Sequence, residues 1–172
     1  FTPEINCLYS GAYADLKIKQ YELKEALPFL ETAISLEKDT KQKRRFLFAA
    51  GQICQEIGED QKAFMLYEEL ISTNPPYEMA FNAKIRQTEV YGGQDREKIV
   101  KSLHRMAKND KNTDYQDQVY YAIGNIYLAD KDTVNAVENY KLSVEKSTRH
   151  GKEQATTAEA ITLTGNRGYN PA

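Results

Sequence analysis

The stretch "YYAIGNIYLADKDTVNAVENYKLSVEK", Tyr120 to Lys146, decides the fold because its pattern recurs along the chain. Ala136 follows Gly124 by 12 residues and Tyr140 follows it by 16. The polar turn "ADKD" separates two segments whose apolar residues recur at i, i+3, i+4 and i+7, which predicts two amphipathic helices. The small residues allow the helices to approach closely, and the large residue fills the space against the next unit.

A second copy, "LFAAGQICQEIGEDQKAFMLYEELISTNP" at residues 47–75, repeats these offsets with Gly51, Ala63 and Tyr67. A less regular copy at 81–110 has other residues at the equivalent places: Gln87, Ile99 and Leu103. The opening copy, "YELKEALPFLETAI" at 21–34, supplies Ala26 and Leu30, and "GYNPA" ends on Ala172. The positions 26, 63, 99, 136 and 172 are separated by 37, 36, 37 and 36 residues, which indicates a structural repeat.

This periodicity predicts an all-α fold, an α-solenoid in which helix-turn-helix units form a right-handed superhelix. We expect one array over residues 1–172, with units near 4–38, 41–73, 76–109 and 114–148 and a partial fifth at 151–172. Since the chain begins at Phe1 and the fifth unit is partial, we expect it to be a fragment of a longer array.

The connections between helices carry turn signals. Pro75 forces Asn74 out of the helical region, Pro76 can begin the next helix, and Gly58 and the glycines at 92–93 favour helix C-caps. In the first unit, "LKIKQYELKEA" at 16–26 is about four residues longer than the corresponding turn elsewhere. We therefore expect an extended helix or a loosened turn there.

Composition gives no reason to expect nucleic-acid or membrane binding by this segment. The net charge is −2, 28% of residues are charged and the mean hydropathy is −0.67. No apolar run approaches the length of a membrane helix. Cys7 and Cys54 are too few for a disulfide framework, and we expect both to be buried.

Nothing in the sequence predicts an enzyme, a cofactor or a metal site. His104 and His150 have no nucleophile or ligand-spaced partner nearby. The segment from Asp110 resembles a calcium loop only in part, since its sixth position is Tyr115 and its twelfth is Tyr121, so we expect a solvated loop between units. The basic run "KQKRR" at 41–45 is interpreted as a solvated helix start, with a partner-docking patch as the alternative.

A helix pair with Gly, Ala, an aromatic residue and a terminal Pro at these offsets resembles the tetratricopeptide repeat over nearly the whole chain. A narrower likeness lies in "KNTDYQDQVYYAIGNIYLADKDTVNAVENYKLSVEKST", Lys111 to Thr148, which resembles the tetratricopeptide segment of the PorW/SprE lipoproteins. That family belongs to the type IX secretion and gliding machinery of Bacteroidetes envelopes, where it is thought to link the motor-side ring to the outer-membrane translocon.

This resemblance implies a periplasmic protein, held at the outer membrane by a lipid anchor outside this segment, whose partners are other proteins of a secretion complex. Cys7 is not assigned to the anchor, because "EINCLY" lacks the apolar residues of a lipobox. The oligomeric state is left open.

In such repeats the first helices line a concave groove, and the positions three before and one after each glycine position face it. Aromatic and amide side chains there suit an extended peptide, because rings supply apolar area and amides satisfy backbone groups. Phe81 and Tyr121 could equally belong to the core between units. The predicted groove residues are Arg45, Phe48, Gln52, Gln55, Phe81, Lys84, Thr88, Tyr121, Asn125 and Leu128.

The sequence therefore favours a non-catalytic protein-interaction scaffold in an envelope complex. The alternative is a cytoplasmic adaptor of the co-chaperone type, which grips a C-terminal carboxylate with Lys and Asn at the same positions. Phe48 and Tyr121 occupy two of the places where such a clamp needs cations, and Lys84 is the only cation, which argues against it.

Overall fold

The computed structural model describes residues 2–93 and 95–148, and the predicted partial fifth unit lies outside them. The described part is helical throughout and contains no strand, so the predicted all-α class of helix-turn-helix repeats is confirmed. Its helices are α1 (Pro3–Lys19), α2 (Leu23–Leu36), α3 (Thr40–Glu56), α4 (Asp60–Ser72), α5 (Tyr77–Glu89), α6 (Arg96–Ala107), α7 (Gln116–Ala129) and α8 (Thr133–Thr148).

The chain divides into two compact units, one ending at Val90 and the other beginning at Tyr91. The division falls inside the third helix pair predicted from sequence. In the first unit each helix packs on the next, from α1 to α5. In the second unit α6 packs on α7 and α7 packs on α8.

The paired helices meet where an aromatic ring lies against a bare glycine. A Cβ added at Gly51 would lie 2.6 Å from the ring of Tyr67, and one added at Gly124 would lie 2.5 Å from the ring of Tyr140. Both rings are fully buried, and the neighbouring Ala63 and Ala136 have 0% and 1% of their surface exposed. In the second and fourth pairs the predicted glycine therefore lies in close contact with the ring, and the predicted alanine is buried beside it.

Helix α1 has 17 residues, as α3 has, and α2 begins four residues after α1 ends, just as α4 follows α3, so the predicted extended helix or loosened turn at 16–26 is wrong. Ala14, fully buried, stands 12 residues before Ala26 and takes the place of the repeat glycine. Gly11 has a different role, because the ring of Phe46 from α3 lies 3.0 Å from where its Cβ would be.

The turn between the helices keeps one backbone geometry in three of the pairs, whatever residue occupies it. A left-handed residue stands seven residues after Ala14, Gly51 and Gly124, at Tyr21 (φ 61°), Gly58 (φ 80°) and Lys131 (φ 63°). Only one of these three is a glycine. The packing of the two helices and the length of the turn therefore impose the conformation, against the preference of the other two side chains.

The connections between pairs are more ordered than a solvated loop. Asn74 has a φ of 52°, and Pro76 stands at the N-cap position directly before α5, where it makes no side-chain capping hydrogen bond. Residues Asp110–Tyr115 form a short 3-10 helix, in which Asn112 is buried and donates to the carbonyl oxygen of Met106 at 2.8 Å. The prediction of a wholly solvated loop before α7 is therefore corrected.

The contact between ring and glycine can be tested with Gly124→Ala. The added methyl group must displace the Tyr140 ring, so we expect a loss of about 1–3 kcal/mol in the free energy of unfolding, measured by urea denaturation. Adding Tyr140→Leu should recover part of the loss, because Ala14 and Leu30 hold these two positions in the first pair. Strictly additive effects of the two substitutions would contradict this account.

The left-handed turn position gives a second prediction. No heavy atom lies within 4 Å of a Cβ added at Gly58, so Gly58→Ala tests the backbone alone and should cost about 1 kcal/mol. Lys131→Gly should stabilise the protein by up to about 1 kcal/mol, since it relieves the same strain. Equal denaturation midpoints for both variants and the wild type would show that these turns relax freely.

Candidate functional site

Three of the predicted groove residues form an accessible polar and aromatic face on α3. Arg45 is exposed and, within the described residues, forms no hydrogen bond or ion pair. Phe48 is half-buried, and its ring lies 6.1 Å from that of Tyr67 in an edge-to-face arrangement. Gln52 is partly exposed, and its amide likewise has no partner in the described part of the chain. A guanidinium, a ring and an amide are thus presented within two helical turns.

Gln55, the fourth predicted residue on α3, is held in a hydrogen-bond network. Its side-chain oxygen accepts from the hydroxyl of Tyr67 at 3.1 Å and from Arg86 at 3.5 Å. Its amide nitrogen donates to Glu89 at 2.7 Å. Arg86 and Glu89 form an ion pair at 3.8 Å on α5, so the network joins the two helices. Sequence reasoning missed this pair because neither residue stands at a predicted groove position.

Two predicted residues on α5 lie in the interior and offer no groove surface. Phe81 is 9% exposed, so the alternative assignment of this ring to the core holds. Thr88 is 5% exposed, and its hydroxyl donates to the carbonyl oxygen of Ile85 at 2.6 Å within the same helix. Lys84 is half-buried on α5. The periodic positions therefore predict the side of the helix from which a residue projects. They do not predict how deeply its side chain is buried, because burial depends on the neighbouring helices.

In the second unit the predicted residues Tyr121, Asn125 and Leu128 lie on α7. The ring of Tyr121 is half-buried, with its centroid 5.6 Å from that of Tyr140. The hydroxyl of Tyr140 donates to the side-chain oxygen of Asn125 at 2.8 Å, which leaves the amide NH₂ of Asn125 without a bond among the described residues. Leu128 is 45% exposed.

A recess of about 520 Å³ between α1 and α3 adds residues that sequence reasoning missed. Counted from Ala14, the groove positions of the first pair are Leu8, Gly11 and Asp15, and all three line this recess with Phe46. The signal was the offset of 12 residues from Ala26 back to Ala14, which sequence reasoning did not use.

The basic run at 41–45 divides into structural and exposed parts. Asp39 caps α3 by accepting from the backbone nitrogens of Lys41 and Gln42. Arg44 donates from Nε to the hydroxyl of Thr73 at 3.0 Å and from Nη2 to the carbonyl oxygen of Asn74 at 3.1 Å, and so caps the end of α4. Arg45, its neighbour, remains available to a partner.

Burial is the main cause of the pKa shifts of the two cysteine thiols and of His104. Burial raises the pKa of the Cys54 thiol to about 11 and also raises that of Cys7, so both thiols are neutral near pH 7. Burial and Lys108 lower the pKa of His104. No three or more His, Cys, Asp or Glu side chains within 2–93 and 95–148 come together as a metal site. Across the same residues, no helix combines the length and apolar character needed to cross a membrane.

Comparison with known proteins agrees with this geometry. The family model described as "Tetratricopeptide repeat" matches residues 117–145, which contain all but the last residue of the stretch from Tyr120 to Lys146. The chain has the tetratricopeptide-type repeat fold. No curated protein sequence matches the chain.

Two solved structures share this fold at low sequence identity. "MamA 41-end from Desulfovibrio magneticus RS-1" is 16% identical, with a TM-score of 0.61 over 96% of this chain and 98% of that one. "MamA RS-1 ArsTM double mutant" is 17% identical, with a TM-score of 0.61 over 93% of this chain and 92% of that one. These similarities establish the fold, and the function is argued below from this chain's own residues.

The buried phenols predict how stability depends on pH. Burial raises the pKa of Tyr67 to about 12, whereas an unfolded tyrosine ionises near pH about 10. The stabilisation linked to the neutral phenol is therefore complete below pH about 10 and is lost as the pH rises towards 12. Tyr67→Phe should flatten this alkaline decline in urea-denaturation midpoints. Tyr9→Phe, at an exposed ring, should leave the decline as steep as in the wild type.

Proposed function

We propose that this chain is a non-catalytic protein-interaction scaffold that binds extended segments of partner proteins. In the first unit the proposed binding face is that of α3, with Arg45, Phe48 and Gln52. In the second unit it is that of α7, with Tyr121 and Asn125. The tetratricopeptide-type fold supports this role, because such repeats present side chains from successive helices to a partner. We further propose that the partner belongs to an envelope secretion complex of the type IX kind.

The observation that carries the proposal is the unused hydrogen-bonding capacity on these faces. Arg45 has no ion pair or hydrogen bond within the described residues, and the amides of Gln52 and Asn125 have donors left over. Each lies near an aromatic ring, Phe48 on α3 and Tyr121 on α7. An extended segment brings backbone carbonyl groups that accept from these donors and apolar side chains that pack on the rings.

The secretion role rests on the resemblance of Lys111 to Thr148 to the PorW/SprE lipoproteins. The resemblance supports a proposed position on the periplasmic side of the outer membrane, with the lipid anchor outside this segment and with no direct membrane contact by the segment itself. The competing role, a cytoplasmic adaptor that clamps a C-terminal carboxylate, is disfavoured by aromatic rings at Phe48 and Tyr121, where such a clamp needs cations.

Binding can be tested by selecting a displayed library of short unstructured peptides against the wild-type protein. We expect the selected peptides to lose affinity by about tenfold on Arg45→Glu, because a guanidinium contact is replaced by a repelling charge. Gln52→Ala should weaken binding in the same direction. Lys24→Glu reverses an equal charge on an exposed site of α2 and should leave affinity unchanged. Peptides that bind Arg45→Glu and Gln52→Ala as tightly as the wild type would refute the assigned face.

The secretion role needs a separate measurement in the source cell. Arg45→Glu, placed in the full-length protein, should reduce export of type IX cargo while the protein level stays constant, and Lys24→Glu should not. If peptide binding is lost and export is unchanged, the secretion role fails while the scaffold role stands.

A further inference from the structure

An apolar stripe runs along α1 on the side away from its partner helix. Ile5 is 49% exposed, Tyr9 is 55% exposed and Leu16 is 46% exposed. With Ala12, also exposed, these residues stand at i, i+4, i+7 and i+11, so they share one face of the helix. Leu8, 77% exposed, borders the same face. Large apolar side chains in one continuous stripe mark an interaction surface rather than scattered surface residues.

The equivalent residues in the later helices α3 and α7 are more buried than those of α1. One period on, Tyr9 and Leu16 correspond to Phe46, which is half-buried, and Ile53, which is 6% exposed. In α3 these residues are covered by the preceding helix pair, since Phe46 lies against Gly11 of α1 and α3 packs on α2. In α7 the equivalents are Val119 and Ile126, both fully buried, and α7 packs on α6.

Whether the residue at these positions is apolar or polar depends on whether a neighbouring helix buries it. In α5 the equivalent positions are Asn82 and Glu89, and both are polar and exposed. Where the positions are buried they are apolar, and where they are exposed they are polar. The first helix breaks this rule, because Tyr9 and Leu16 are apolar and exposed.

The stripe is also continuous with the core of the first pair. The ring of Tyr9 stacks on that of Tyr13 at 5.6 Å, and Tyr13 lies 4.6 Å from Phe29 of α2. A helix laid on the stripe would therefore extend an existing packed layer of rings and would not begin a new one.

We propose that the outer face of α1 is a docking site for a further helix pair of the same type, whose second helix lies on α1 as α2 lies on α3. The occupant is an amphipathic helix whose apolar side contacts Ile5, Tyr9 and Leu16. This surface is distinct from the faces of α3 and α7 that are proposed to bind an extended segment, so the two proposals stand or fall separately.

The probe is a labelled synthetic peptide with the sequence of residues 21–38, since α2 covers the equivalent face of α3. Fluorescence anisotropy should show saturable binding to the intact wild-type chain. Leu16→Glu should weaken it by about tenfold, because a buried leucine contact is replaced by a charge. Met65→Glu changes an exposed apolar residue on α4, 63% exposed, and should leave binding unchanged.

Absence of saturable binding to the wild type, or an equal loss on Met65→Glu, would overturn the proposal. Circular dichroism melting of Leu16→Glu should match the wild type, since Leu16 contributes exposed surface in the chain alone. Sedimentation of the protein without peptide gives the remaining outcome. A concentration-dependent dimer that Leu16→Glu abolishes would assign the face to a second copy of the chain and overturn the stated occupant.

Discussion

The contact of a tyrosine ring with the bare backbone of a glycine is the constraint on which the second and fourth helix pairs depend. At Gly51 and Gly124 no side chain larger than hydrogen fits beneath the ring, so helix separation and ring position are fixed together. The ring also reaches beyond the core. The phenol of Tyr67 donates to Gln55 and that of Tyr140 donates to Asn125, so the same side chain that packs a pair orients an amide at a predicted groove position.

Much of this fold could be predicted from the sequence because the same residue offsets occur in several copies of the repeat. The helices, the positions of the turns and the close approach of the second and fourth pairs were predictable from offsets of 12 and 16 residues. The tyrosine was expected against the next unit, whereas Tyr67 and Tyr140 pack on the glycine of their own pair. The first pair was misjudged because an alanine, Ala14, and not a glycine stands 12 residues before Ala26. The left-handed turns at Tyr21 and Lys131 carry no glycine, since helix packing and not residue preference sets their backbone.

The candidate site was only partly predictable, for a related reason. The spacing of residues along a helix identifies which side chains share one face, and it correctly placed Arg45, Phe48 and Gln52 together on an accessible face of α3. It does not say how closely the next helix approaches, which decides that Phe81 and Thr88 are buried. Nor does it reveal which polar groups bond to one another, so the engagement of Gln55 by Arg86 and Glu89 required coordinates.

The Arg44 cap has a consequence for how the first unit opens. One guanidinium joins the second turn of α3 to the carbonyl groups of Thr73 and Asn74 at the end of α4. Unwinding either element removes the partner of the other, which couples the amide exchange of the α4 terminus to fraying at the start of α3. The beginning of α3 and the connection after α4 should therefore open together, and a ligand that orders Arg45 would slow hydrogen exchange at a turn it never touches.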